Sequence, residues 1–285
     1  MKTILIPTDF SENAAHAAEY GYQFAKQIKS NVILCNAFVV PVEMPQAAMV
    51  TWPMYEYDEI IQSCADDVKA LKEKLEKADL DGFRPAVKCI NEAGALQDVV
   101  SELVNKHDIG LIVMGTHGGS GLSGFILGNH SRRMIDNTTK PLLLIPPDVK
   151  GLSVRKIAFA TDLEHIAQDL DAIFELITYA KMLNAEILLT YIDHEKYHTA
   201  DFKKHMDELL TNLSNKAGYA LIYYRLVKSR STDSGLDWLC EHGQIDMLAM
   251  VHRPHNFLDA LINGSHTQRM AGHITKPLFV FPAKG

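Results

Sequence analysis

Lys2-Thr-Ile-Leu-Ile-Pro-Thr8-Asp9-Phe10 stands near the start of the sequence, and Lys156-Ile-Ala-Phe-Ala-Thr161-Asp162-Leu163 repeats it past the middle. Two further segments recur in the same order. Asp108-Ile-Gly-Leu-Ile-Val-Met114 returns as Gln244-Ile-Asp-Met-Leu-Ala-Met250, and Thr139-Lys140-Pro141-Leu-Leu-Leu-Ile-Pro146 as Thr275-Lys276-Pro277-Leu-Phe-Val-Phe-Pro282. Asp9 to Asp162 is an offset of 153, whereas Met114 to Met250 and Pro141 to Pro277 are both offsets of 136. Three ordered matches mean that one unit has been duplicated. The first copy is then longer by about 17 residues between its early and late strands. The natural place is an insertion near 39–59, rich in proline, methionine and aromatic residues. The copies part near Pro146-Pro147-Asp148-Val149-Lys150-Gly151, where prolines end a strand and a glycine opens the connection. This gives domains of 1–148 and 152–285, and a chain of 285 residues has room for two such cores.

Each copy alternates short apolar runs with helical periodicity. In the first, strands are predicted over Thr3–Pro7, Asn31–Ala37, Ala86–Asn91, Ile109–Met114 and Pro141–Ile145. Helices are predicted from N-cap Ser11 to Ile28, over Glu59–Ala78 and Leu96–Lys106, and from about Ser131. Continuous apolar strands separated by helices indicate a parallel sheet covered on both faces. The fold class is therefore α/β, a doubly wound, Rossmann-like five-stranded domain in tandem. Such sheets bind ligands beyond the carboxyl ends of their strands, where the strand order reverses.

The composition, 47% hydrophobic and 22% charged, is that of a globular protein. A net charge of −7 argues against an electrostatically driven nucleic-acid binder but not against a small-anion site built from backbone N–H groups. The N-terminal MKTILIPTDF lacks a secretory apolar core, and no stretch is long enough to span a membrane. The four cysteines, Cys35, Cys64, Cys89 and Cys240, form no CxxC pair. A reduced, cytoplasmic protein is expected.

The segment that carries chemistry lies after the fourth strand: Met114-Gly115-Thr-His117-Gly118-Gly119-Ser-Gly121-Leu-Ser-Gly124-Phe-Ile-Leu-Gly128-Asn129-His130-Ser131-Arg132-Arg133. A loop there must turn tightly, lay its backbone against an anion and feed a helix whose free N–H groups point at it. Glycine suits those positions because it lacks a Cβ and tolerates positive φ. Ser131, in the first helical turn, has a hydroxyl that can add a phosphate contact. The loop is not a Walker loop, since it has no Gly-Lys-Ser/Thr, nor the dinucleotide fingerprint, which belongs after the first strand.

Gly115-x2-Gly118-x9-Gly128, with the opening Ile-Leu-Ile-Pro-Thr8-Asp9-Phe-Ser11 and the closing Lys140-Pro141 strand, resembles the ATP-binding signature of the universal stress protein family. The resemblance runs through both copies and implies a tandem member in which they form a pseudo-dimer through their last strands, Pro141–Ile145 and Pro277–Phe281. It implies ATP, with Mg²⁺, as ligand. Asp9 would contact the adenosine end, Gly115, Gly118 and Gly128 would shape the phosphate cradle, and Ser131 would touch phosphate. Thr8, Met114, His117, Asn129 and His130 complete the candidate site. Asn129 departs from the family's Ser/Thr, although its amide can cap a helix and donate to an oxyanion.

At the 136 offset the second copy has Val251 for Gly115 and Pro254 for Gly118, and keeps Gly264-Ser265. Valine disfavours positive φ and proline lacks an N–H, so ATP is not expected there in the same pose. The second copy is expected to be a structural partner or to bind something else.

His194-Glu195-Lys196-Tyr197-His198 matches HExxH but falls in a connection after a strand, so exposed loop histidines are the ordinary reading and a metal site at His194 and His198 the minor one. Arg132-Arg133 with Lys140 reads as a solvated face or an aid to an anion. Trp52, Met54, Tyr55 and Tyr57 read as packing or as a cover over a ligand. Between Gly115 and Arg133 there is neither a carboxylate nor a lysine, so binding is better supported than hydrolysis. The alternatives are a weak ATPase in the first copy and a nucleotide-free interaction scaffold. A homodimer and unidentified protein partners stay open.

Overall fold

The computed structural model describes residues 2–39, 54–77, 82–116, 129–151, 153–163, 166–193, 200–253 and 275–283. They form two compact units, Met1–Met114 and Gly115–Gly285. The first holds β1 (Thr3–Pro7), α1 (Glu12–Gln27), β2 (Val32–Phe38), α2 (Met54–Lys77), β3 (Val87–Ala93), α3 (Leu96–Lys106) and β4 (Ile109–Gly115), whose last residue opens the second unit. The strands lie in the order β3-β2-β1-β4 and all run parallel. Ile4, Leu5, Ile6, Leu34, Ile109 and Leu111 are fully buried, as strands covered on both faces require. The order reverses between β1 and β4, which pair with Leu5 opposite Ile112.

Local chemistry explains the helix ends. Ser11 caps α1, its hydroxyl accepting from the Ala14 amide at 3.2 Å, with Glu12 in the first turn and Lys26 in the last. At the other end Lys29 takes a left-handed φ of 54° and Ser30 N–H donates back to Ala25 O at 2.9 Å. Helix α2 starts at Met54, five residues ahead of the predicted Glu59. Pro53 stands just before it in sequence, and proline is tolerated where a helix opens but not inside it. The rest of the expected insertion, 40–53, lies outside the described residues.

The second unit holds α4 (Asn129–Asn137), β5 (Leu142–Ile145), β6 (Lys156–Ala160), α5 (Ile166–Leu183), β7 (Glu186–Asp193), α6 (Ala200–Ala217), β8 (Ile222–Lys228), α7 (Thr232–His242), β9 (Met247–His252) and β10 (Leu278–Pro282). Its strand order is β5-β10-β9-β6-β7-β8. Read from β8 to β10, the second copy repeats the order of β3-β2-β1-β4 and adds its own last strand. Its strands are parallel; β5, the last strand of the first copy, joins β10 antiparallel. The sequence repeat divides at 148–152, whereas the compact units divide after Met114, because β5 is hydrogen-bonded to β10 and belongs with it.

The β5–β10 pairing is symmetric in the repeat. Leu143 faces Phe279, its own equivalent at the 136 offset, while Leu144 faces Leu278 and Leu142 faces Val280. Like meets like about one centre, the arrangement of an isologous dimer interface within one chain. Phe279 stacks on Phe281 at 4.7 Å between ring centroids and meets Tyr179 edge-on at 5.1 Å.

Candidate functional site

In the first unit β1 and β4 run parallel toward the same edge of the sheet, so Thr8 and Asp9 come just after one strand end and Met114 is the last residue but one of the other strand. Thr8 is buried; its amide donates to Cys35 O at 2.8 Å, and its hydroxyl accepts from Phe10 N–H at 3.1 Å. That small turn holds Phe10 at a φ of 62°, a costly conformation for a bulky residue. Asp9 is exposed, and its Oδ1 accepts from the amide of Ser11 at 3.1 Å and its hydroxyl at 2.6 Å. Asn36, at the end of β2, donates Nδ2 to Thr8 O at 2.8 Å. Its Oδ1 is buried without a partner among the described residues. The neighbouring Cys35 thiol is pushed up to about 12 by burial, with the Glu92 carboxylate adding to it, so it is no nucleophile at neutral pH.

In the second unit Gly115 and Ser131 are brought together. Ser131 is buried, and its hydroxyl donates to Gly115 O at 3.1 Å, with Thr116 O at 3.5 Å. Asn129 and His130 precede it as the exposed first residues of α4. Thr116 is fully buried, its amide donating to Ile145 O at 3.2 Å, yet its Oγ1 has no partner among the described residues. His117, Gly118 and Gly128 lie outside the described residues.

Sequence reasoning passed over Asn36 and Thr116. A polar residue inside the apolar run of β2 was the available signal for Asn36, since a buried amide needs partners. His194 and His198 also lie outside the described residues, and among those described no group of three or more histidine, cysteine or acidic side chains is placed to hold a metal ion. No described helix is long and apolar enough to cross a membrane.

The second copy repeats the turn after β1. Thr161 N–H donates to Thr190 O at 3.0 Å, Leu163 N–H donates to Thr161 Oγ1 at 3.1 Å, and Leu163 has a φ of 61°. At the end of β9 the copies diverge. Val251 and His252, the equivalents of Gly115 and Thr116, are buried in the strand. His252 Nε2 lies 3.2 Å from Asp136 Oδ1 on α4. Arg253 Nη2 meets Asp169 Oδ1 at 2.5 Å.

The parallel α/β sheet reverses its order at β1 and β4, and α4 follows β4, the layout of a doubly wound Rossmann-like domain. The universal stress protein family model matches residues 1–146, and the chain belongs to that family. A universal stress protein of Methanocaldococcus jannaschii is 28% identical over 144 residues, 50% of this chain and 81% of its own. A second from the same organism is 26% identical over 155 residues, 50% of this chain and 94% of its own. A universal stress protein structure from Archaeoglobus fulgidus shares the fold along the whole chain, with a TM-score of 0.69, 16% identity and 98% of each chain covered.

Proposed function

We propose that this is a cytoplasmic, stress-associated protein whose first copy, residues 1–148, binds ATP with Mg²⁺ as a conformational signal. The second copy, residues 152–285, acts as its partner in cis. The observation that carries the reading is the Ser131 hydroxyl bound to Gly115 O, which fastens the start of α4 to the end of β4. A helix fastened there directs the unpaired N–H groups of its first turn toward an anion beyond the strand end. Two buried polar atoms favour a polar ligand, Asn36 Oδ1 beside Thr8 and Thr116 Oγ1 at the head of the loop, since each lacks a partner among the described residues.

ATP would supply a charged triphosphate to the amides of Asn129, His130 and Ser131 and a base and ribose to Thr8, Asp9 and Met114. Gly115, Gly118 and Gly128 would let the backbone approach it, with His117 at the rim. The stretch from Gly115 to Arg133 offers neither a carboxylate nor a lysine, so the chain binds and holds rather than hydrolyses. Calorimetry of the full chain with ATP and Mg²⁺ tests this. One site is expected, abolished by Gly118→Val and weakened severalfold by Ser131→Ala with the fold intact. Absence of heat from the folded wild-type chain would replace this reading with that of a nucleotide-free scaffold.

A further inference from the structure

The second copy has the same topological switch point, between the carboxyl ends of β6 and β9, and its own side chains are gathered there. Arg253 is the first residue beyond β9, and Thr161 the first beyond β6. Asp169 lies in the first turn of α5 and is 2% exposed. Its Oδ1 accepts from Arg253 Nη2, and its Oδ2 accepts from the Thr161 hydroxyl at 2.8 Å. The first copy has no counterpart of this pair. Arg253 replaces His117 at the 136 offset. Helices α1 and α5 end in the same left-handed turn, at Lys29 and Asn184, so Asp169 stands at the place of Ala14. Guanidinium and carboxylate therefore occur together in the degenerate copy, where a ligand would otherwise lie.

The pair is incomplete in an informative way. A guanidinium presents a planar fork, and a two-oxygen anion satisfies it best through two parallel N–H···O bonds. Asp169 takes one arm because its other oxygen is committed to Thr161. Arg253 Nε is left buried and without a hydrogen-bond partner among the described residues. A buried donor of that kind is costly to leave unmade.

We propose that the second copy's crevice is an anion site held shut by Asp169, which occupies on Arg253 the place of the phosphate of a small phosphorylated ligand. A phosphate can span Nε and Nη2 together, which the carboxylate tied to Thr161 does not. Binding requires only that Asp169 be released from Arg253, with no covalent step. This site does not depend on nucleotide binding by the first copy.

The probe is inorganic pyrophosphate, titrated into the full chain and read by calorimetry and by thermal melting. Asp169→Asn is expected to add one equivalent of pyrophosphate to the wild-type stoichiometry, with affinity at least about tenfold above any wild-type binding at that site. Arg253→Gln placed on the Asp169→Asn chain is expected to remove that equivalent and no other. Any first-copy binding stays constant across the series, so failure there and failure here are separable. Asp169→Asn leaves the half-buried Arg253 guanidinium without its carboxylate and lowers stability; the melting temperature of this variant should then rise with pyrophosphate more than that of the wild type. A folded Asp169→Asn chain with wild-type stoichiometry overturns the proposal, as does an added equivalent that survives Arg253→Gln. If Asp169→Asn does not fold, Asp169→Ser decides. Its short hydroxyl can still accept from Thr161 and leaves the guanidinium open, so an added equivalent of pyrophosphate supports the latch and none in the folded chain refutes it.

Discussion

Phe10 and Leu163 carry the same strain in both copies, φ values of 62° and 61°, each held by a threonine hydroxyl that accepts from its own amide. The sequences after β4 and β9 have diverged while this turn has not, so the turn is tied to how the first strand meets its helix and not to the glycine-rich stretch alone. Burial acts on single residues as well. The Cys35 thiol is pushed up to about 12 by desolvation and then Glu92, and the Cys240 thiol to about 12 by desolvation, with Asp237 and Glu241 raising it and Lys276 opposing. Tyr179 and Tyr219 are raised too, mainly by burial. Each folded value lies above the unfolded one, so folding favours the protonated form. That contribution is complete below the thiol's ordinary value of 9.0 and is lost as pH climbs toward about 12. Stability measured by urea unfolding should therefore fall between pH 9 and 12, and Cys35→Ala should flatten that slope while lowering stability at pH 7 through its cavity. An unchanged slope in the variant would mean that Cys35 does not titrate differently on folding.

Among the elements, β1, α3 and the Ser11 cap of α1 were legible in the sequence because each is fixed locally, by an apolar run, by helical spacing of apolar residues and by a side-chain cap in turn. The start of α2 was not. Met-Tyr-Glu-Tyr-Asp has no sharp helical periodicity, and the prolines around it read equally well as loop. The candidate residues divide along the same line. Thr8, Asp9 and Ser131 stand out as candidates by their place in the chain, whereas the Asn36 contact to Thr8 O and the Arg253–Asp169 pair span distances of sequence that no spacing encodes. Helix ends give a sharper test. Lys29 and Asn184 close α1 and α5 in left-handed conformations that glycine adopts freely, and Asn tolerates that region better than Lys. Lys29→Gly should stabilise the chain by about 0.5–1 kcal/mol in chemical denaturation. Asn184→Gly should gain less. Equal gains at the two sites would count against backbone strain as the cause.

At the scale of the whole molecule, duplication has turned a surface that two chains could share into one that a single chain closes on itself. The β5–β10 pair shows why the arrangement holds. Its centre is Leu143 against Phe279, both fully buried, and each strand offers its partner the residues that its partner offers it. The β5–β10 pairing involves neither Arg253 nor Asp169, so that ion pair leaves it intact. If this pairing couples the copies, the two central residues should not act independently. Phe279→Ala is expected to cost about 3–5 kcal/mol and Leu143→Ala about 2–5 kcal/mol. The double variant should cost less than the two together by about 0.5–3 kcal/mol, because each single change already empties the space that the other side chain faces. Equilibrium unfolding of the four chains completes the cycle. A coupling energy indistinguishable from zero would mean that Leu143 and Phe279 are held by separate surroundings, Phe279 by Tyr179 and Phe281, and that the strand pairing rests on its backbone hydrogen bonds alone.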